Sequence, residues 1–352
     1  AMPIFGAMAE AMIDPGQQPA GDGPILILQP LPGVGDLVWH LSAIHAIAAA
    51  HPNHERILLT KHRTRADEMY IADPSISRVI WVDRAEQHSG PGGFLALVRD
   101  LKAEGFSRSY QLHHSARYAA AIRLAGVPER FAYGTTWPTR LLSDPPHLGD
   151  GKRRAHPIDL ANDFVRELGF AVPERADRLR VAPEHANNIQ QQFSGCPKPW
   201  IAVGLGSSEA FKQWGPDRFA ALIMQMADAG PATFFLLGGP AEADFLPVIE
   251  AALGERKDVA LVPTFNWKMS RLVAAQAACD CYVGNDTAFV NISAAVGVPA
   301  YGLFGATEPL RYSSWLHPIL PGTGEISRVD GMARIQPQDV AETVLESLKS
   351  SA

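Results

Sequence analysis

The sequence has too few cysteines for a disulfide framework. Cys196, Cys279 and Cys281 are an odd and scattered three, the usage of a reducing compartment rather than of a cross-linked secreted domain. It is also short of charge: charged residues make up 19% and the net charge is −6, which argues against the basic stripe of a nucleic-acid binder and a polybasic membrane patch. No apolar run approaches the roughly 20 residues of a spanning helix, and the first residues lack the basic start and apolar middle of a secretory signal. The expected location is cytoplasmic, with any membrane-borne substrate reached by peripheral contact at the inner-membrane surface. No Gly-x-Gly-x-x-Gly follows a strand, because Gly33-Val34-Gly35 runs on into Asp36-Leu37-Val38; this argues against a nicotinamide oxidoreductase. His113 and His114 are adjacent, with no third ligand at a metal-binding spacing, so no metal site is expected.

What the chain does contain is length and alternation. Its 352 residues suit two domains of roughly 150 each. Residues 1–23 read as a flexible leader, 24–175 as a first domain, 198–335 as a second and 336–352 as a closing helix, with the boundary in the proline-punctuated, polar stretch 169–199. Short continuous apolar runs at 25–28, 57–60 and 79–82 have the pattern of parallel strands buried on both faces. A weaker strand at 109–112 and another at 130–133 follow, and helical spacing covers 37–50, 65–72, 93–104, 118–125 and 158–168. Residues 134–157 read as a long irregular loop. The alternation restarts with strands at 200–203, 233–237, 259–262 and 281–283 and helices at 217–229 and 269–278. The fold class is therefore α/β: two Rossmann-like domains facing across a cleft, with Asp36 on one wall and Lys212, Glu242 and Asp286 on the other.

The most informative stretch is 282–304, where an apolar strand enters Gly284-Asn285-Asp286-Thr287, then a helix, then a second apolar strand. Helix N–H groups and dipole at such an elbow favour an anion, and a carboxylate beside that anion makes sense if it binds sugar hydroxyls; the residues point to the phosphate ester of a polyol. A plain turn and helix cap is the alternative for Asn285 and Asp286. Asp36 lies at or just before a helix N-terminus, at the carboxyl end of the first strand, where open α/β sheets bind ligands; the alternative is an N-cap. Lys212 follows the Gly204-Leu205-Gly206-Ser207-Ser208 loop as a phosphate contact or a solvated surface lysine. Glu242, after Gly238-Gly239, is placed to take ribose hydroxyls. His113, His114 and Arg117 could meet an anionic acceptor or form a solvated loop.

Taken together and in order, these motifs resemble the heptosyltransferases of glycosyltransferase family 9, which have the two-domain GT-B fold. The resemblance covers most of residues 24–320 and rests on Gly35-Asp36, Lys212-Gln213-Trp214, residues 238–242, Gly284-Asn285-Asp286-Thr287, Gly297-Val298-Pro299 and residues 303–309. It implies inverting transfer of a sugar, heptose in this family, from an ADP-sugar to a lipopolysaccharide-core or other glycan or glycolipid acceptor. By position, Asp36 would be the general base and Lys212 the contact to the leaving diphosphate. Glu242 would hold the ribose and Asp286 the donor sugar. Gly35, Ser207, Asn285, Thr287 and Ala288 would line the donor site, and Met269, with Trp267 and Lys268, would flank the base. No tightly bound cofactor is implied, and a Mg2+ ion, if used, would be non-structural. Where the family commonly reads Asp-Thr/Ser-Gly-x-x-His at the elbow, this chain has Ala288 for the glycine and Asn291 for the histidine; Pro30 stands where a basic residue often lies. Competing readings are a nucleotide-sugar epimerase and a non-catalytic nucleotide-sugar-binding protein on the same scaffold, and fold alone does not separate them.

Overall fold

The computed structural model describes residues 14, 15, 17, 21–82 and 88–350, so most of the expected leader, 1–23, lies outside the described residues. Contacts divide the chain into two compact units, one of residues 1–31, 42–62 and 75–176, the other of 32–41, 63–74 and 177–352. The division falls inside the 169–199 stretch. Two short segments, 32–41 and 63–74, leave the expected first domain and belong to the second unit.

In the first unit, β1 (Ile25–Leu28), β2 (Arg56–Thr60), β3 (Arg78–Trp81), β4 (Arg108–Gln111) and β5 (Glu129–Ala132) form one parallel sheet in the order β3-β2-β1-β4-β5. β1, the central strand, is buried along its whole length, which is why it reads as four consecutive apolar residues. Helices Leu41–Ala50, Gly90–Glu104 and Ala116–Leu124 cover the sheet. At the start of β4 and β5, buried Arg108 pairs through Nε with Glu129 at 2.5 Å and donates through Nη1 to the carbonyls of Pro15 and Gln17, both at 2.8 Å. These two residues of the expected flexible leader are thus held by the sheet. Residues 134–157 are not irregular throughout: Trp137–Leu142 is a helix, opened by Pro138 where the missing N–H costs nothing, and Asp150–Lys152 is a 3-10 turn.

In the second unit, β6 (Trp200–Gly204), β7 (Ala232–Leu237), β8 (Val259–Pro263), β9 (Cys281–Asn285), β10 (Ala300–Leu303) and β11 (Leu316–Ile319) form a second parallel sheet in the order β11-β10-β9-β6-β7-β8. Both faces are packed. Phe234 and Leu236 of β7 join Val203, Val283 and the closing helix's Val340 and Val344 on one side; Phe235 and Leu237 join Trp200, Tyr282 and Phe304 on the other. Elements absent from the sequence reading belong here: helix Pro183–Gln192 inside the supposed linker, helix Leu246–Leu253, β11, and the short helix Gly331–Arg334. Among the described residues no helix is long and apolar enough to cross a membrane.

Candidate active site

The chain winds outward from β6 in one direction through β7 and β8, and in the other through β9 and β10. The carboxyl ends of β6 and β9 are thus the point where strand order reverses and a crevice opens. The two strands meet glycine to glycine, Gly204 opposite Gly284; a Cβ on Gly284 would lie 2.5 Å from the Gly204 carbonyl oxygen, so β9 could not carry a side chain at that point.

β9 leads into the elbow. Thr287 caps helix Ala288–Val296, its hydroxyl accepting the Phe289 N–H at 3.4 Å, and Gly297, left-handed at φ 83°, ends the helix. Asn285 is fully buried: Nδ2 donates to the Leu205 carbonyl at 2.8 Å and to Gln213 Oε1 at 2.7 Å, while Oδ1 accepts the Trp214 N–H at 3.2 Å. Asn285 therefore fastens the loop after β6 to the end of β9, and its amide does not face the cavity as a donor ligand would. Asp286 faces Lys212 instead. Lys212 Nζ lies 3.0 Å from Asp286 Oδ2 and 3.0 Å from Glu209 Oε2, and the Thr307 hydroxyl donates to the same Asp286 oxygen at 2.9 Å. Burial alone would lower the Lys212 pKa, but the Asp286 and Glu209 carboxylates outweigh it and leave the ammonium above its ordinary value. Lys212 is thus a permanent cation, only 18% exposed, beside a carboxylate 12% exposed.

Helix Val34–Trp39 begins earlier than the pattern suggested, so Asp36 is in its first turn rather than before it; Asp36 Oδ2 accepts the Gly33 N–H at 2.7 Å. Glu242, in the 3-10 turn Pro240–Phe245, accepts the Gly239 N–H at 2.7 Å. Its carboxylate lies over two glycines: a Cβ on Gly206 would be 2.9 Å from its Cδ, and one on Gly238 would be 2.8 Å from its Cβ.

A cavity of about 910 Å³ gathers these groups, all within the second unit. Gly35, Asp36, Ser207, Lys212, Glu242, Asp286, Thr287 and Ala288 line it, as do residues the sequence reading did not assign to a site, among them Trp39, Arg63, Phe289 and Asn291. For Arg63 a signal existed, a cation just past the carboxyl end of β2; Trp39 and Phe289 looked like core. Ala288 packs against Gly35, whose added Cβ would lie 3.6 Å from Ala288 Cα, so the methyl rests on that loop. Met269 does not line the cavity. Its N–H, at the start of helix Met269–Ala278, donates to Glu68 Oε2 at 2.5 Å, and its neighbours Trp267 and Lys268 border a separate polar groove of about 750 Å³.

His113, His114 and Arg117 follow β4 in the first unit. Burial, then nearby His114 and Lys61, holds the His113 pKa down to about 4, and burial with Arg153 lowers that of His114. Both rings are neutral at neutral pH and would meet an acceptor through hydrogen bonds rather than positive charge. Arg117 donates to the carbonyls of His88 and Gly90 at 2.5 and 3.3 Å and lies over the Phe94 ring. Among the described residues no cluster of three or more His, Cys, Asp or Glu could hold a metal ion.

Residues 94–320, more than half of the chain, match the profile of glycosyltransferase family 9 (heptosyltransferase). The lipopolysaccharide heptosyltransferase 2 of Escherichia coli K12 is 22% identical over 336 residues, covering 92% of this chain and 93% of that protein. Among solved structures, the E. coli ADP-heptose lipopolysaccharide heptosyltransferase II superposes with a TM-score of 0.73 at 22% identity, over 93% of this chain and 99% of that one. The E. coli heptosyltransferase WaaC with ADP-2-deoxy-2-fluoro heptose gives 0.67 at 15% identity, over 92% and 99%. The two-sheet α/β architecture is that of the GT-B fold.

Proposed function

This chain belongs to glycosyltransferase family 9, the heptosyltransferases, and from that premise we propose that it moves heptose, with inversion, from ADP-heptose to a lipopolysaccharide-core acceptor. The observation that carries the reading is the gathering of Asp36, Lys212, Glu242 and the Asp286-Thr287 elbow around one cavity. The diphosphate would sit at the amino end of helix Ala288–Val296, where the dipole and N–H groups favour an anion. Lys212 would exchange its carboxylate partners for diphosphate oxygens and stabilise charge as it develops on the leaving group. Asp286, released from Lys212, would take donor-sugar hydroxyls, and Glu242 those of the ribose. The acceptor oxygen attacks the anomeric carbon as the bond to the diphosphate breaks; ADP leaves with the electron pair, and Asp36 accepts the acceptor's proton. Attack from the face opposite the departing diphosphate inverts the centre. The adenine assignment is supported by the ADP-sugar named with the related WaaC structure; any Mg2+ would accompany the diphosphate.

Two measurements test this. Calorimetry should rank ADP above UDP and GDP, and a UDP preference would remove heptose from the reading. Turnover of ADP-heptose should require an acceptor and yield an inverted linkage; conversion of the donor alone would make the protein an epimerase.

The acceptor side includes peripheral contact with an anionic membrane surface. Trp137 and Leu141, one turn apart on helix Trp137–Leu142, are 72% and 60% exposed. Arg140 on that helix reaches Asp150 at 3.3 Å, tying it to the turn Asp150–Lys152, which continues into exposed Arg153 and Arg154. An apolar wedge flanked by cations, in a chain of net charge −6, has the chemistry of an interfacial contact with anionic lipid.

A further inference from the structure

Asn291 stands on helix Ala288–Val296 one turn after Thr287, and its side chain joins three separate stretches of chain. Oδ1 accepts the Trp39 indole N–H at 3.1 Å and the Tyr312 hydroxyl at 2.6 Å, and Nδ2 donates to the Thr287 carbonyl at 3.0 Å. The residue is 2% exposed, so these bonds face little competition from water. Tyr312 is a dependable donor, because burial first, then Asp177 and Asp286, pushes its pKa well up and keeps the phenol protonated. Trp39 lies three residues after Asp36 on the same short helix. Through Asn291, the turn bearing Asp36 is therefore bonded to the elbow bearing Asp286 and Thr287.

We propose that Asn291 is a positioning residue, the joint that sets the separation between the Asp36 carboxylate and the anion-binding elbow; the proposal rests on the transferase reading above. A carbonyl oxygen has two lone pairs and can accept from both Trp39 and Tyr312, whereas a neutral histidine offers one acceptor nitrogen. Asparagine at this position thus goes with a pair of donors that histidine could not satisfy together. The joint matters because the base must meet a hydroxyl poised over the donor's anomeric carbon, and a displacement of about 1 Å in such a geometry can cost on the order of 10²-fold in rate.

Asn291→Leu removes all three bonds at similar volume, and Trp39→Phe removes one N–H while keeping a ring. We expect kcat to fall about 10- to 100-fold in Asn291→Leu and by less in Trp39→Phe, with the ADP dissociation constant nearly unchanged in both. Asn291→His should fall between wild type and leucine. The double variant should be no slower than Asn291→Leu alone, since both changes break one linkage. A loss confined to ADP affinity, or additive effects in the double variant, would overturn the joint. The linkage is also read without turnover: the Trp39 indole ¹⁵N resonance, assigned by its absence from Trp39→Phe, should shift on ADP addition in wild type and stay in place in Asn291→Leu. A wild-type protein that binds ADP but transfers nothing would sink the transferase reading alone, and the resonance would still decide for or against the joint. Should Asn291→Leu fail to fold, Trp39→Phe and Tyr312→Phe carry the same comparisons.

Discussion

Asp36 and Glu242 occupy the same station in two different loops: each lies three residues after a glycine, and each accepts that glycine's N–H at 2.7 Å. Both carboxylates are thereby oriented by their own backbone before any substrate arrives, which lowers the ordering cost at binding.

Asp36→Asn should abolish transfer while leaving ADP binding intact. The amide oxygen still accepts the Gly33 N–H, so the turn survives, but the side chain no longer takes a proton. A general base contributes on the order of 10² to 10⁴ in rate. Transfer and ADP calorimetry on the same variant check this, and retained turnover would reduce Asp36 to a helix cap.

Lys212→Met should lower kcat more than donor affinity, by roughly 10²- to 10³-fold, because the cation matters most as charge moves onto the diphosphate. It also leaves Asp286 and Glu209 without the charge between them, so the variant should be less stable. Because the folded pKa is raised, the ion pair's contribution is complete below the unfolded lysine value of 10.5 and is lost only as pH rises through the folded value. Rate profiles from pH 6 to 9 should therefore show no lysine limb; one in that range would mean Lys212 is not held charged.

The protein should lose stability on mild acidification. His51 is fully buried, bonded to the Tyr110 hydroxyl at 2.6 Å, and burial with Arg108, His54 and Arg56 lowers its pKa to about 4. The unfolded chain takes up a proton near the ordinary histidine value of 6.5, which the native ring refuses until about 4. Stability is therefore whole above about 6.5 and falls towards 4, by about 3 kcal/mol for this residue. His113 acts in the same direction. Urea midpoints measured from pH 7.5 to 4.5 should show a shallower slope in His51→Gln; an unchanged slope would refute the assignment.

Wild-type protein should co-sediment with vesicles containing phosphatidylglycerol and much less with neutral phosphatidylcholine vesicles. Trp137→Ser with Leu141→Ser, or Arg153→Glu with Arg154→Glu, should reduce binding several-fold, and only the cation effect should disappear in high salt. Equal binding by all variants would take this face out of the membrane reading.

Most strands of the two sheets were legible because a parallel strand buried on both sides leaves a continuous apolar run, as at Ile25–Leu28 and Ala232–Leu237. Helix Pro183–Gln192 was not, since Ile189 is its only buried residue and amide side chains make it resemble a linker. β11 hid because Pro318 interrupts its pattern, which an edge strand tolerates. Around the cavity, Asp36, Lys212, Glu242 and Asp286 stood out at strand ends beside glycine loops. The burial of Asn285 could not be read from its motif, whose position is the same whether the amide faces a ligand or the protein. The bond between Trp39 and Asn291 spans a sequence distance of 252, and no local pattern could announce it.

The contact of Gly204 with Gly284 has a consequence for how such an enzyme can diversify. Where β6 and β9 meet, just before the loops that line the cavity, any substituent on Gly284 would collide with the neighbouring strand. A lineage changing its donor or acceptor therefore has no freedom to resculpt that junction one residue at a time. Innovation is channelled to the rim: the loops carrying Asp36, Lys212 and Glu242, and the first turn of helix Ala288–Val296, which carries Ala288 and Asn291.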